Sequence, residues 1–217
     1  MAAAQHGQAA ASAPVIRFTL DFPASDPTHY EISMAADGRG SYSSRYRTED
    51  AGAGTASGSD GAGHGATEVY ESEFAAPAAS AGRIFDLAKQ AHYFSGKVDT
   101  GDKHLAFTGT KTLAYEAQGQ STRASYNYSP VAAVDELTDI FQDMSACLEF
   151  GRRLEYDFRF QKLAMEEVLK QMEDEVNEGR LKQQAVIAPM LQKIVDDQAA
   201  MKVSRARAQR ILAKAGK

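Results

Sequence analysis

A single cysteine, Cys147, stands among 217 residues, so no intramolecular disulfide can form and packing must hold the fold. Free cysteine behaves most often as a small buried apolar side chain, which is the expectation here. No run approaches the roughly 18 apolar residues that cross a bilayer as a helix, so no membrane-spanning helix is expected. Neither sign of charge dominates: 29 acidic against 24 basic side chains leave a formal net charge of -5. That balance supplies no global attraction to nucleic acid or to an anionic membrane.

Chemistry-bearing motifs are equally sparse. The five histidines, His6, His29, His64, His92 and His104, form neither an HExxH pair nor a CxxC-plus-His set, so no metal ion or other cofactor is expected. Gly109-Thr110-Lys111-Thr112 lacks the GxxxxGK[ST] order of a phosphate loop and reads as a strand turn. No GxSxG elbow is present, and Cys147 falls on a helix seam. Glu166, Glu167, Glu173, Asp174 and Glu175 read as a solvated helix face, which offers no cleft to perturb an acid/base pair. An enzyme built on this chain would have to assemble its site from residues distant in sequence, with Tyr126, Asn127, His92 and Asp99 as contributors.

What the chain does carry is two apolar rhythms. Ile16, Phe18 and Leu20 alternate with Arg17, Thr19 and Asp21, the period of a half-buried strand, and Pro23 ends it. Tyr30, Ile32 and Met34 repeat the pattern, and Ala36-Asp37-Gly38 turns the chain into Gly40–Tyr46 to make a hairpin. Residues 1–14 read as a disordered lead without the apolar stretch of a secretory signal; the signal of an exported product would have been removed or would lie upstream of Met1. Residues 47–66, crowded with Gly, Ser, Ala and Asp, read as a flexible loop that still lets its flanking strands pair. Thr67–Phe74 resumes as a strand, and a helix follows with Ile84, Phe85, Leu87, Ala88, Ala91 and Phe94 at helical spacing. Lys103–Phe107, Lys111–Tyr115 and Thr122–Tyr128 read as an antiparallel meander that completes an α+β sheet domain over 15–129.

Beyond Pro130 the period becomes seven. Leu137, Met144, Phe158, Met165 and Met172 form one row and Phe141, Leu148, Leu169 and Val176 another, a helical seam of coiled-coil spacing. Gly151, Glu155 and Lys162 occupy seam positions, which predicts one long helix with a weak or bent middle. Asn177-Glu178-Gly179 stops it, and Ile187, Leu191, Ile194, Val195 and Met201 mark a returning helix near Pro189. Residues 130–217 thus read as a long C-terminal helical hairpin with a basic tail. About eight large side chains, at roughly 1.5–3 kcal/mol each, do not offset the entropy of ordering that hairpin. It needs the sheet domain, a protein partner, or self-association through the C-terminal helices.

Two surfaces are candidates for binding. Tyr42, Tyr46, Tyr70, Tyr115, Tyr126 and Tyr128 can share one sheet face and present hydroxyls at its edge, or pack half-buried beneath the first helix. The tail carries Lys202, Arg205, Arg207, Arg210, Lys214 and Lys217 with no acid. It can touch an anionic surface, complement the acidic Glu173–Glu178 stretch, or solvate the terminus.

The layout Phe18-Thr19-Leu20-Asp21-Phe22-Pro23, His29-Tyr30-Glu31-Ile32-Ser33, Gly109-Thr110-Lys111-Thr112-Leu113 and Ser125-Tyr126-Asn127-Tyr128-Ser129 resembles uncharacterised exported bacterial proteins. That resemblance implies an extracytoplasmic, periplasmic location. The order hairpin, strand, helix, meander is similar to the small α+β fold of emfourin-type metalloprotease inhibitors, at the level of architecture only. Ala36-Asp37-Gly38-Arg39-Gly40 is a different turn from that family's, so no inhibitory residue is carried over. The expected function is a non-catalytic binding or interaction protein, with inhibition as one form of it. The alternatives are an enzyme with a site of no recognised motif and an envelope-associated structural protein using its basic C-terminal helix.

Overall fold

In the computed structural model, which describes residues 13–47, 67–117 and 119–215, the twofold rhythm becomes six antiparallel strands. β1 (Val15–Asp21), β2 (His29–Ala35), β3 (Arg39–Arg47), β4 (Thr67–Ala75), β5 (Thr110–Ala117) and β6 (Gln120–Tyr126) lie in the order β4-β3-β2-β1-β5-β6. Phe18 sits opposite Ile32 on one side and Leu113 on the other, Ile32 opposite Tyr42, and Tyr42 opposite Ser72. That register aligns one apolar face across the strands, because side chains two apart share a face. Ile16, Phe18, Ile32, Met34 and Leu113 on it are fully buried. The opposite face carries Arg17, Glu31, Ser43 and Glu71.

The expected lead falls outside the described residues over 1–12, as does the expected loop apart from Arg47, which ends β3. Across that insertion β3 and β4 pair in register. The β2–β3 turn is closed by Gly38 at φ +85°, where a Cβ would stand 2.6 Å from the Ala76 carbonyl oxygen. The Gly38 carbonyl itself accepts the Ala76 N–H at 2.8 Å. Lys103–Phe107 is a correction: it forms no strand, and Leu105 and Phe107 are exposed. The Gly101 N–H donates to Asp99 just before it, the His104 N–H donates to Asp102 within it, and the Asn127 side-chain amide donates to the Ala106 carbonyl.

The expected α+β class is the observed one. Helix α1 (Ala78–Gln90) buries Ala81, Ile84, Leu87 and Ala88, and α2 (Ala132–Phe160) lies beside it, joined by a two-bond Arg83–Glu136 pair at 2.7 and 2.6 Å. Phe141 of α2 stacks on Phe18 of β1, ring centroids 5.3 Å apart and planes 4° from parallel. One continuous apolar core therefore runs from the sheet into the C-terminal helices.

Those helices turn back earlier than their sequence suggests. α2 runs unbroken through Gly151, and the chain reverses at Gln161–Ala164 into α3 (Met165–Asn177). The Arg153 guanidinium donates to Gln171 across the two antiparallel helices at 2.9 Å. Gly179, at φ +74°, then ends α3. The 3-10 turn Gln184–Ile187 and α4 (Ala188–Asp196) run back along α2, with Lys182 N–H on Asp143 at 2.8 Å at one end and Lys162 on Asp197 at 2.6 Å at the other. α5 (Lys202–Ala215) returns beside α3. The arm is two helical pairs packed together, and α2 belongs both to it and to the sheet.

Candidate functional site

Where α4 approaches the sheet, an open groove of about 280 Å³ separates it from β4. Tyr70, Ser72 and Phe74, three side chains on one face of β4, form one wall. Leu148 and Gly151 of α2 form the floor, and Ile187, Pro189 and Met190 the second wall. Each wall has a local cause. Strand alternation turns Tyr70, Ser72 and Phe74 toward the helices, and Pro189 suits the first turn of α4, where no N–H partner is lost.

Gly151 sets the floor. A Cβ there would lie 2.8 Å from Ile187 Cγ2, so the missing side chain lets the 3-10 turn settle on α2. Alanine is the better helix former by about 1 kcal/mol, whereas forced overpacking costs about 1–3 kcal/mol. Gly151→Ala is therefore expected to lower stability in urea denaturation despite its propensity gain; an increase in the midpoint would show that Ile187 yields freely.

The groove's charged and polar lining comes from Ser72, Glu73, Glu155 and Lys193, beside the Tyr70 hydroxyl. The buried Ser72 Oγ has no hydrogen-bond partner among the described residues. Glu155 is paired with Arg159, and Lys193 lies with Nζ 4.8 Å from the centroid of the Phe158 ring.

Next to the groove lies a carboxylate that the sequence did not single out. Glu149 accepts the Tyr42 hydroxyl at 2.6 Å, the Tyr46 hydroxyl, and Arg152 Nε at 2.9 Å. The Arg152 guanidinium also lies 4.3 Å from the centroid of the Tyr46 ring. Burial, and after it the Glu149 carboxylate, holds both phenols well above their ordinary range. Glu149 is out of reach of local pattern reading, since its tyrosine partners lie 107 and 103 residues away.

The sequence-derived candidates are distributed as follows. Tyr42, Tyr46 and Tyr126 are buried beneath the helices, with the Tyr126 hydroxyl 2.6 Å from Thr138 Oγ1. Tyr70 is half-buried in the groove wall, and Tyr128 is half-buried with the Lys111 Nζ 5.4 Å from its ring centroid. Lys111 donates to Thr108 Oγ1 at 3.0 Å and to the Asn127 carbonyl at 2.9 Å, and burial lowers its pKa. Asp99 accepts the Asn127 N–H at 2.8 Å, which brings those two together in a loop brace. The Tyr126 hydroxyl points away from them into the core.

In the tail, Arg207 reaches Glu166 at 2.9 Å, and Arg207 and Arg210 converge on Glu173, whose carboxyl they hold below its usual range. Lys214 bonds Asn177. Lys202 and Arg205 make no ion pair among the described residues. Cys147 is fully buried, and burial raises its thiol pKa.

Two other surface features are less selective. A cleft of about 690 Å³ between α2 and the loop after α3 carries both signs of charge, with Arg83 held by Glu136 and Arg180 by Glu175 and Glu178. Tyr156, Phe160 and Leu163 are exposed at the α2–α3 turn, but Arg159 and Lys162 beside them are paired with Glu155 and Asp197. Among the described residues no group of His, Cys, Asp and Glu is placed to hold a metal ion, and no helix is long and apolar enough to cross a membrane.

Fold and groove together define an α+β protein with helices on one face of an antiparallel sheet and an apolar groove at the sheet's rim. No family model matches the chain, and neither a curated protein nor a solved structure shows significant similarity to it.

Proposed function

We propose that this chain is a non-catalytic binding protein whose partner seats one or two apolar side chains in the groove between β4 and α4. The size and lining of that groove carry the reading. At about 280 Å³ it lies just below the roughly 300–1,000 Å³ typical of sites that enclose a whole small molecule. It suits side chains projecting from a larger partner. No nucleophile-and-base pair lines it, and of the four candidates for an assembled catalytic site, Tyr126, Asn127, His92 and Asp99, Asn127 and Asp99 serve as a loop brace while the Tyr126 hydroxyl bonds Thr138 in the core.

Peptide-library selection against the full chain tests this, with Met190→Lys as the blocked variant. Met190 is only half-buried, so its replacement narrows the groove without emptying the core. Peptides carrying Leu, Ile, Val or Phe are expected to enrich on the wild type and to be lost on the variant. No enrichment, or equal binding to both proteins, would remove the proposal.

A further inference from the structure

We infer that the partner is an extended peptide that adds a strand to the outer side of β4, alternating apolar with cationic side chains; this rests on the groove reading above. β4 pairs with β3 on one side, and among the described residues no strand pairs with its other side. Alternate N–H and C=O groups along it therefore face outward, the template on which strand addition works.

The groove opens beside this edge, on the helical side of the sheet. An added strand obeys the same twofold period as β4. Its side chains next to Tyr70, Ser72 and Phe74 enter the groove, while the alternate ones lie beside Val69 and Glu71 on the outer face and beside Glu73, which also borders the groove. Glu71 and Glu73 are exposed and have no ion-pair partner among the described residues, so they favour Lys or Arg at the alternate positions. Inside the groove Lys193 opposes a cation and Glu155 is already held by Arg159, which leaves Glu73 at the β4 edge as the one lining carboxylate without an ion pair among the described residues. The phase is fixed: apolar side chains inward, basic side chains outward.

A second copy of the chain fits this edge poorly. Pairing β4 with β4 would set the Glu71 and Glu73 side chains of both copies on one face, like charge against like.

The probe is a peptide of about eight residues alternating Leu or Val with Lys, compared with one carrying Glu in place of Lys, each titrated against the full chain. The lysine peptide is expected to bind about tenfold more tightly or better, with an affinity that weakens as salt rises. In Glu71→Lys, an exposed position that does not line the groove, the preference for the lysine peptide is lost. Two N-methylated forms of the lysine peptide, methylated on alternate residues, separate the modes: one set of N–H groups faces β4 and its loss abolishes binding, while the other set is dispensable.

Equal binding of the two N-methylated forms would overturn strand addition and leave the groove reading standing. Failure of both peptides to bind, while library-selected peptides still require Met190, would overturn the alternating pattern in the same way. Undiminished binding of the lysine peptide to Met190→Lys would instead sink the groove reading itself.

Discussion

Phe141→Ala is expected to destabilise the whole molecule by about 3–5 kcal/mol, the cost typical of truncating a fully buried phenylalanine. Phe141 has no exposed surface and stacks on Phe18, so its removal leaves a cavity between sheet and helix. For a chain of this size about 3–5 kcal/mol corresponds to roughly 6–20 °C in Tm. Far-UV circular dichroism and tyrosine emission should report one coincident transition, because the core crosses from β1 into α2 without a break. Phe141→Leu, which keeps most of the volume, should cost less than about 1.5 kcal/mol. Two separated transitions in the wild type would show that sheet and helical arm unfold independently.

Glu149→Ala should cost about 3 kcal/mol, or about 6–12 °C in Tm. Its side chain is only 16% exposed, and it serves two phenols and a guanidinium together. Tyr42 keeps Ser145 Oγ at 3.2 Å and Tyr46 keeps Ser44 Oγ at 2.9 Å, which limits the loss. A second readout is independent of stability at neutral pH. Both phenols titrate above their ordinary 10.0 in the folded protein, so the stability they contribute is fully present below pH 10 and is lost as pH rises toward their folded values. Removing the carboxylate takes away one of the two causes, and spectrophotometric titration should show the phenol transition moving down toward 10. An unchanged titration would mean that burial alone sets these groups.

Much of the sheet was legible because alternation is a local signal. Ile16, Phe18 and Leu20, and Tyr30, Ile32 and Met34, point to one face in the sequence and in the fold alike. Leu105 and Phe107 alternate just as well, but Lys103–Phe107 joins no ladder: Asp102 accepts the His104 N–H at one end, and at the other the Asn127 side chain donates to the Ala106 carbonyl and accepts the Thr108 N–H. The helical seam misled at one point. Phe158 and Met165 are seven apart, so the spacing continues across a reversal at Gln161-Lys162-Leu163-Ala164, where no glycine or proline marks the turn. Gly151 suggested a weak point and proved to be a contact surface for Ile187. The groove and Glu149 were hidden for a different reason: the groove is made by residues of β4, α2, the 3-10 turn and α4, and the Glu149 cluster by β3 and α2, which sequence spacing does not relate.

Between Ile140 and Glu155 no side chain of α2 is fully open to water, since the sheet and α1 enclose one flank and α3, the 3-10 turn and α4 the other. Drift along that stretch is constrained from two directions, because a change that suits one neighbour must also suit the second. Pro189 and Met190 on the opposite bank are exposed or half-exposed and carry no such double obligation. A substitution at Pro189 or Met190 therefore reshapes one bank of the groove while the packing of its floor stays as it is.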